Sequence, residues 1–192
     1  METVNHPGWT STQIKAEAKI NFEAGAKVFM KDTIERARAK RPDALWGYYH
    51  FPYCYANGSV TSCSSQVQDE NDSLKWLFDA CDVLYPSVYV PESYTQAQQK
   101  QYVKNNLDEA FRVRDEVSPG TKIVPYVMNK YRDTFNFMTE GDMNATIATV
   151  ASYDVDAVII WGRYSDANTA TTCGDLYNYI DTVLGPILTQ FY

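Results

Sequence analysis

The residues in this sequence best equipped for chemistry are aromatic rings and hydroxyls that stand where short apolar runs end. Four such runs occur, at 45–51, 83–90, 122–128 and 157–161. The first carries Tyr48 and Tyr49, the second Ser87 and Tyr89, and the third Tyr126 with Tyr131 just beyond it. The fourth ends on Trp161, with Tyr164 close behind. A ring face rimmed by hydroxyls suits stacking on a sugar ring and bonding its hydroxyl groups. The same rings also suit plain packing at the top of a sheet, since strands favour aromatics in general. Recurrence at all four ends favours a binding role.

The charged groups point less clearly. Lys130, Arg132 and Arg163 follow the third and fourth runs. They read either as partners for the carboxylates of an acidic substrate or as solvated loop charge. A glycosidase needs a proton donor, commonly with a second acidic group nearby. No Asp-x-Glu pair stands at the end of any run. Asp82 precedes the second, Glu92 and Asp133 fall in loops, and Asp166 follows Trp161. None sits in an apolar setting that would raise a carboxyl pKa toward neutrality. His6 and His50 lack a partner at nucleophile or metal spacing, and His50 is expected to pack on the aromatic strand. With no Gly-rich phosphate loop and no Cys/His metal pattern, no cofactor and no metal are expected.

The elements that must position these residues follow from periodicity. Thr10 and Gln13 form a capping-box pattern ahead of a long helix whose apolar stripe includes Ile14, Phe22, Phe29, Met30 and Ile34. The four runs then read as strands, each followed by a loop and a helix. A short helix or turn is expected over 72–80, and capped helices are expected to start at Thr95 and Thr139. A last helix through Leu176, Ile180 and Leu184 should stop at Gly185-Pro186. Pro86 predicts a bulge in the second strand, whereas 157–161 reads as the most buried strand. Strands that alternate with helices in this way run parallel, as in an α/β barrel or open sheet. A closed eight-stranded barrel needs about 250 residues. The 192 residues here are expected to form a single domain holding about half of one.

The net charge of −7 argues against nucleic-acid binding and against attachment to anionic membranes. It also means that an anionic ligand needs local Lys or Arg to receive it. No apolar run approaches the roughly 20 residues of a membrane span. The opening residues lack the basic and apolar regions of a signal peptide. Cys54 and Cys63 nevertheless flank a short polar loop that suits a disulfide, and sequons occur at Asn57, Asn71 and Asn144. Together these predict a secreted glycoprotein.

The motifs resemble the hyaluronidase family of glycoside hydrolases, the insect venom type above all. Trp46-Gly47-Tyr48-Tyr49 with Phe51-Pro52-Tyr53-Cys54-Tyr55 is similar to a family signature. Asn71-Asp72 with Trp76-Leu77, Tyr85-Pro86-Ser87-Val88-Tyr89, Val124-Pro125-Tyr126 and Ile160-Trp161-Gly162 follow in the family's order. Cys173 and Leu184-Gly185-Pro186 fit too, and the likeness covers practically the whole chain. The resemblance implies a distorted TIM-like barrel of about seven strands, of which this chain supplies the C-terminal four βα units. It also implies secreted or lysosomal location and hydrolysis of the β-1,4 bonds of hyaluronan. The chemistry would be substrate-assisted and retaining, with Tyr89 positioning the acetamido group and Tyr49, Ser87, Tyr126 and Trp161 lining the groove. The family's Asp-x-Glu acid motif lies on an earlier strand, and Cys173 pairs there. The expectation is therefore an incomplete barrel, inactive alone and in need of those strands. The second reading is a non-catalytic glycan-binding relative. Cys81 is an addition to the family pattern, and Arg163-Tyr164 replaces its small hydroxyl residues.

Overall fold

The structure is a computed structural model that describes residues 6–191. Helix α1, Ser11–Lys40, begins as the sequence predicts: Thr10 accepts from the Gln13 amide, and the Gln13 side chain accepts from Thr10. Its apolar stripe behaves differently. Ile34 alone is buried, while Phe22 and Phe29 are 74% and 72% exposed. The helix meets the rest of the chain mainly near its C-terminal end. There Met30 and Ile34 pack with Leu77, Cys81 and Trp46, and Arg38 clamps Asp82 at 2.9 Å. The first turns are exposed to solvent.

Such an exposed apolar face is expected to make the chain self-associate when nothing covers it. Replacing both Phe22 and Phe29 with serine should weaken the association by up to roughly a thousandfold, since each ring, if fully buried, contributes about 2 kcal/mol. Light scattering across a concentration series reads this; identical association of both proteins would contradict it.

After α1 the chain passes the first apolar run and enters the cysteine loop, where Cys54 and Cys63 are bonded to each other. The run at 45–51 is not a regular strand, contrary to expectation. It lies parallel to the next segment through one bridge, Tyr49 to Tyr85, before His50 turns the chain at φ 75°. Gly47 permits the approach, since a Cβ there would stand 2.1 Å from the Val83 carbonyl oxygen. Gly58 similarly lets the cysteine loop press onto the Gln98 backbone.

Helices α2 (Ser65–Ser73) and α3 (Lys75–Phe78) follow; the sequence reading placed a single short element at 72–80 and missed most of α2. The predicted second strand pairs as β1, Val83–Leu84, and again only at single bridges beyond it. Pro86, where the sequence predicts a bulge, has no N–H to give and stands between the β1 pairing and the Ser87 bridge to Tyr126. Helix α4, Gln96–Arg112, opens with the predicted Thr95–Gln98 capping box and continues through a π-turn, Val113–Val117. Pro125 splits the predicted third strand into β2, Lys122–Ile123, and β3, Tyr126–Met128. Helix α5, Glu140–Ala151, is capped by Thr139, and β4 is Ile159–Trp161.

The last helical stretch corrects a prediction. It starts with α6, Ala170–Tyr179, passes through a π-turn at Ile180–Leu184, and continues as α7, Gly185–Phe191. Gly185-Pro186 does not stop it: the Gly185 N–H bonds to the Ile180 carbonyl in the wider π-turn, and the stretch runs on past the proline.

The pairings run in chain order: 45–51 beside 83–90, then 122–128, then 157–161, all parallel. This is one curved wall of a βα fold, with no closed barrel among the described residues. Helices α4 and α5 cover it through Val103, Leu107, Met143 and Ile147, packed on Val88, Val90 and Val127. The predicted most-buried strand, β4, is in fact half-exposed, since among the described residues only β3 pairs with it.

Candidate functional site

The wall brings four of the predicted residues together. Tyr49, Tyr89, Tyr126 and Trp161 line one cleft of about 290 Å³ at the C-terminal ends of the parallel segments. Their placement follows from register: Tyr49 bridges to Tyr85, Ser87 to Tyr126, and Met128 pairs with Trp161, so each ring sits one strand along from the last. The rings form a connected set. Tyr49 meets Tyr126 edge-on at 5.0 Å between centroids, and Tyr89 stacks on Trp161 at 5.8 Å with 20° between planes. Trp161 and Tyr49 remain 40% and 46% exposed, which leaves ring faces open to a ligand.

Ser87 holds a different position from the one expected. It is buried beneath the cleft, and its Oγ lies 3.0 Å from the Tyr49 hydroxyl. It therefore fixes Tyr49 without lining the cleft itself. The Tyr89 phenol is pushed up in pKa, first by burial and then by the Tyr49 hydroxyl beside it. It stays protonated and can donate a hydrogen bond.

Other expectations need correction. Tyr131 is buried in the core and donates to Asp142 at 2.5 Å, because its segment turns inward to carry α5. Tyr164 points to solvent at 87% exposure, away from the cleft. Asn71 cannot serve as a glycan acceptor in this fold: it is fully buried and its Nδ2 donates to Glu109 and to the Tyr53 carbonyl. Asn57 is exposed and Asn144 half-buried, so both stay accessible. His50 does pack among aromatics, with its ring parallel to Tyr53 at 6.3 Å. Burial, helped by the charge of Arg132, pulls its pKa below the ordinary value, which favours the neutral ring.

The cations are not plain solvated charge. Lys130 and Arg163 both pair with Asp166, at 3.1 and 3.0 Å, and Arg163 lies 3.6 Å over the Phe135 ring. Arg132 donates to the Tyr102 hydroxyl and covers its ring. The i, i+3 spacing of Arg163 and Asp166 is the local signal for this cluster, whereas Lys130 joins it through the fold alone.

The carboxyl groups are all committed elsewhere. Asp82 pairs with Arg38 and the Trp46 amide at the opposite end of the wall. Asp133 accepts from the Glu92 and Ser93 amides, and Glu92 from Thr134 and Asn136. Burial alone would raise the Asp166 pKa, but hydrogen bonds from Arg163 and Lys130 outweigh it and hold the carboxyl below its usual range. None lines the cleft. Among the described residues no cluster of His, Cys, Asp and Glu could hold a metal ion, and no helix is long and apolar enough to cross a membrane.

A wall of successive parallel segments that gathers aromatic rings at its C-terminal ends defines part of a βα fold with an aromatic cleft. Comparison with known proteins narrows the class. The family profile described as hyaluronidase matches residues 1–191, and the chain belongs to that family. It is 38% identical to hyaluronidase A of Vespula vulgaris over 186 residues, covering 95% of this chain and 56% of that protein. Human hyaluronidase-1 is 32% identical over 190 residues, covering 95% and 44% respectively. The crystal structure of bee venom hyaluronidase in complex with a hyaluronic acid tetramer superposes with a TM-score of 0.92 at 34% identity. That match covers 99% of this chain and 60% of the other. The chain thus spans about half the length of the curated relatives it matches.

Proposed function

We propose that the aromatic cleft binds an N-acetylglucosamine unit of hyaluronan, and that the chain is the acetamido-binding part of a hyaluronan-hydrolysing enzyme. One observation carries this reading: Tyr49, Tyr89, Tyr126 and Trp161 form a single open cleft in a member of the hyaluronidase family. In that cleft Trp161 and Tyr89 give a flat apolar floor for a sugar face. The protonated Tyr89 hydroxyl orients the acetamido group. The chemistry we assign is substrate-assisted and retaining. The acetamido oxygen attacks the anomeric carbon, the glycosidic bond breaks, and a carboxylic acid protonates the departing oxygen.

No carboxyl group lines the cleft among the described residues, and Asp166 is held ionised. We therefore assign binding without cleavage to residues 1–192. We assign completion of the site to further strands, which would also cover the exposed face of α1. The same lack of a carboxyl favours a second reading, a glycan-binding protein without catalytic activity. Secretion or lysosomal residence suits both readings, given the Cys54–Cys63 disulfide and the venom relatives.

The test is to incubate the purified chain with high-molecular-weight hyaluronan across acid to neutral pH and measure chain length by gel electrophoresis. Unchanged length is expected. Shortening would overturn the assignment of binding without cleavage.

A further inference from the structure

Beside the aromatic cleft lies a charge cluster that the proposed reaction does not use. Asp166, 2% exposed, pairs with both Lys130 and Arg163. One carboxylate facing two cations leaves one positive charge in excess. Its location is fixed by Gly162, the residue after Trp161. A Cβ on Gly162 would stand 3.6 Å from Asp166 Oδ2 and 3.8 Å from Asn129 Oδ1. The cluster therefore abuts the ring that forms one side of the cleft.

Two details show that the cluster's hydrogen bonding is incomplete. The Arg163 Nε is buried without a partner, as is Oδ1 of Asn129, itself 3% exposed. Phe135 beneath the guanidinium and Asp166 beside it fix its orientation, while 30% of the Arg163 side chain stays open to solvent. A planar guanidinium held on two sides, with part of its side chain open to solvent, is suited to a carboxylate. In a chain of net charge −7, an excess cation two residues beyond a ring that lines the cleft is out of keeping with its surroundings.

We propose that Arg163, supported by Lys130, is a specificity residue that receives the carboxylate of the hexuronate adjoining the sugar stacked on Trp161. The inference rests on the glycan reading of the cleft and deepens it. Trp161 and Tyr89 recognise an N-acetylhexosamine face; Arg163 makes the site select acidic over neutral glycans. A neutral polymer of the same acetamido sugar would fill the cleft and leave the cation unpaired.

The experiment is calorimetric titration of the full chain and of Arg163→Gln with two probes, a hyaluronan hexasaccharide and a neutral N-acetylglucosamine hexasaccharide. The variant should lose roughly tenfold in affinity for the acidic probe, the size of one charge-assisted hydrogen bond, and keep its affinity for the neutral one. Arg163→Lys should recover part of the loss. In the unaltered chain, raising the salt should weaken the acidic probe alone, a readout that needs no variant to fold. Equal losses for both probes, or none together with a salt-independent acidic affinity, would overturn the role of Arg163 while leaving the glycan cleft standing. Binding of neither probe by the unaltered chain would overturn the cleft and this inference with it.

Discussion

Replacing Trp161 with alanine is expected to weaken hyaluronan hexasaccharide binding roughly thirtyfold. An exposed ring at the centre of a contact typically contributes about 2 kcal/mol. The ring is 40% exposed and stacked on Tyr89, so its loss removes one side of the cleft and little of the core. The backbone pairing of β4 with β3 does not depend on the side chain. The melting temperature should therefore stay nearly constant, and Trp161→Phe should retain most of the affinity. Calorimetric titration measures both variants. An unchanged dissociation constant for the alanine variant would remove Trp161 from the site.

The largest effect on stability is expected at Glu109, far from any ligand. Its side chain is 1% exposed and accepts from Asn71 Nδ2 at 2.7 Å and from Arg112 Nε at 2.9 Å. Arg112 in turn reaches Asp72 on α2 at 2.7 Å. Glu109→Ala strips the acceptor from this network and leaves a partly buried guanidinium short of its charge partner. The expected cost is about 3 kcal/mol, whereas Glu109→Gln, which keeps one acceptor, should cost less. Urea unfolding reads the difference. A cost below about 1 kcal/mol for the alanine variant would show that water replaces the carboxylate. Because Asn71 also holds the Tyr53 carbonyl, the same network anchors the start of the cysteine loop.

What the sequence could show depended on how local the cause was. Capping boxes at Thr10 and Thr95 are decided within four residues, and both helices start where those residues predict. The aromatic cleft was legible because parallel strands deliver their last residues to one end, so Tyr49, Tyr89, Tyr126 and Trp161 had to converge. Ser87 belongs to the same row, yet its hydroxyl points under Tyr49, which depends on the neighbouring segment and not on spacing. Tyr131 looked equivalent to Tyr126 until the loop's inward turn buried it against Asp142. The run at 45–51 carries every compositional mark of a strand, but His50 in the left-handed region ends its pairing after a single bridge. Asn71 shows the same limit. A sequon is three residues long, and nothing within it reveals Glu109 waiting 38 residues away. Periodicity in α1 identified an apolar stripe correctly but said nothing of what covers Phe22 and Phe29.

The central claim, that the cleft holds an acetamido sugar, is tested most directly by saturation-transfer NMR. The experiment uses the unaltered chain and a hyaluronan tetrasaccharide. The account predicts that the acetamido methyl protons receive the strongest transfer, and that Trp161→Ala abolishes this preference. Absence of transfer, or transfer that the alanine variant leaves unchanged, would contradict it.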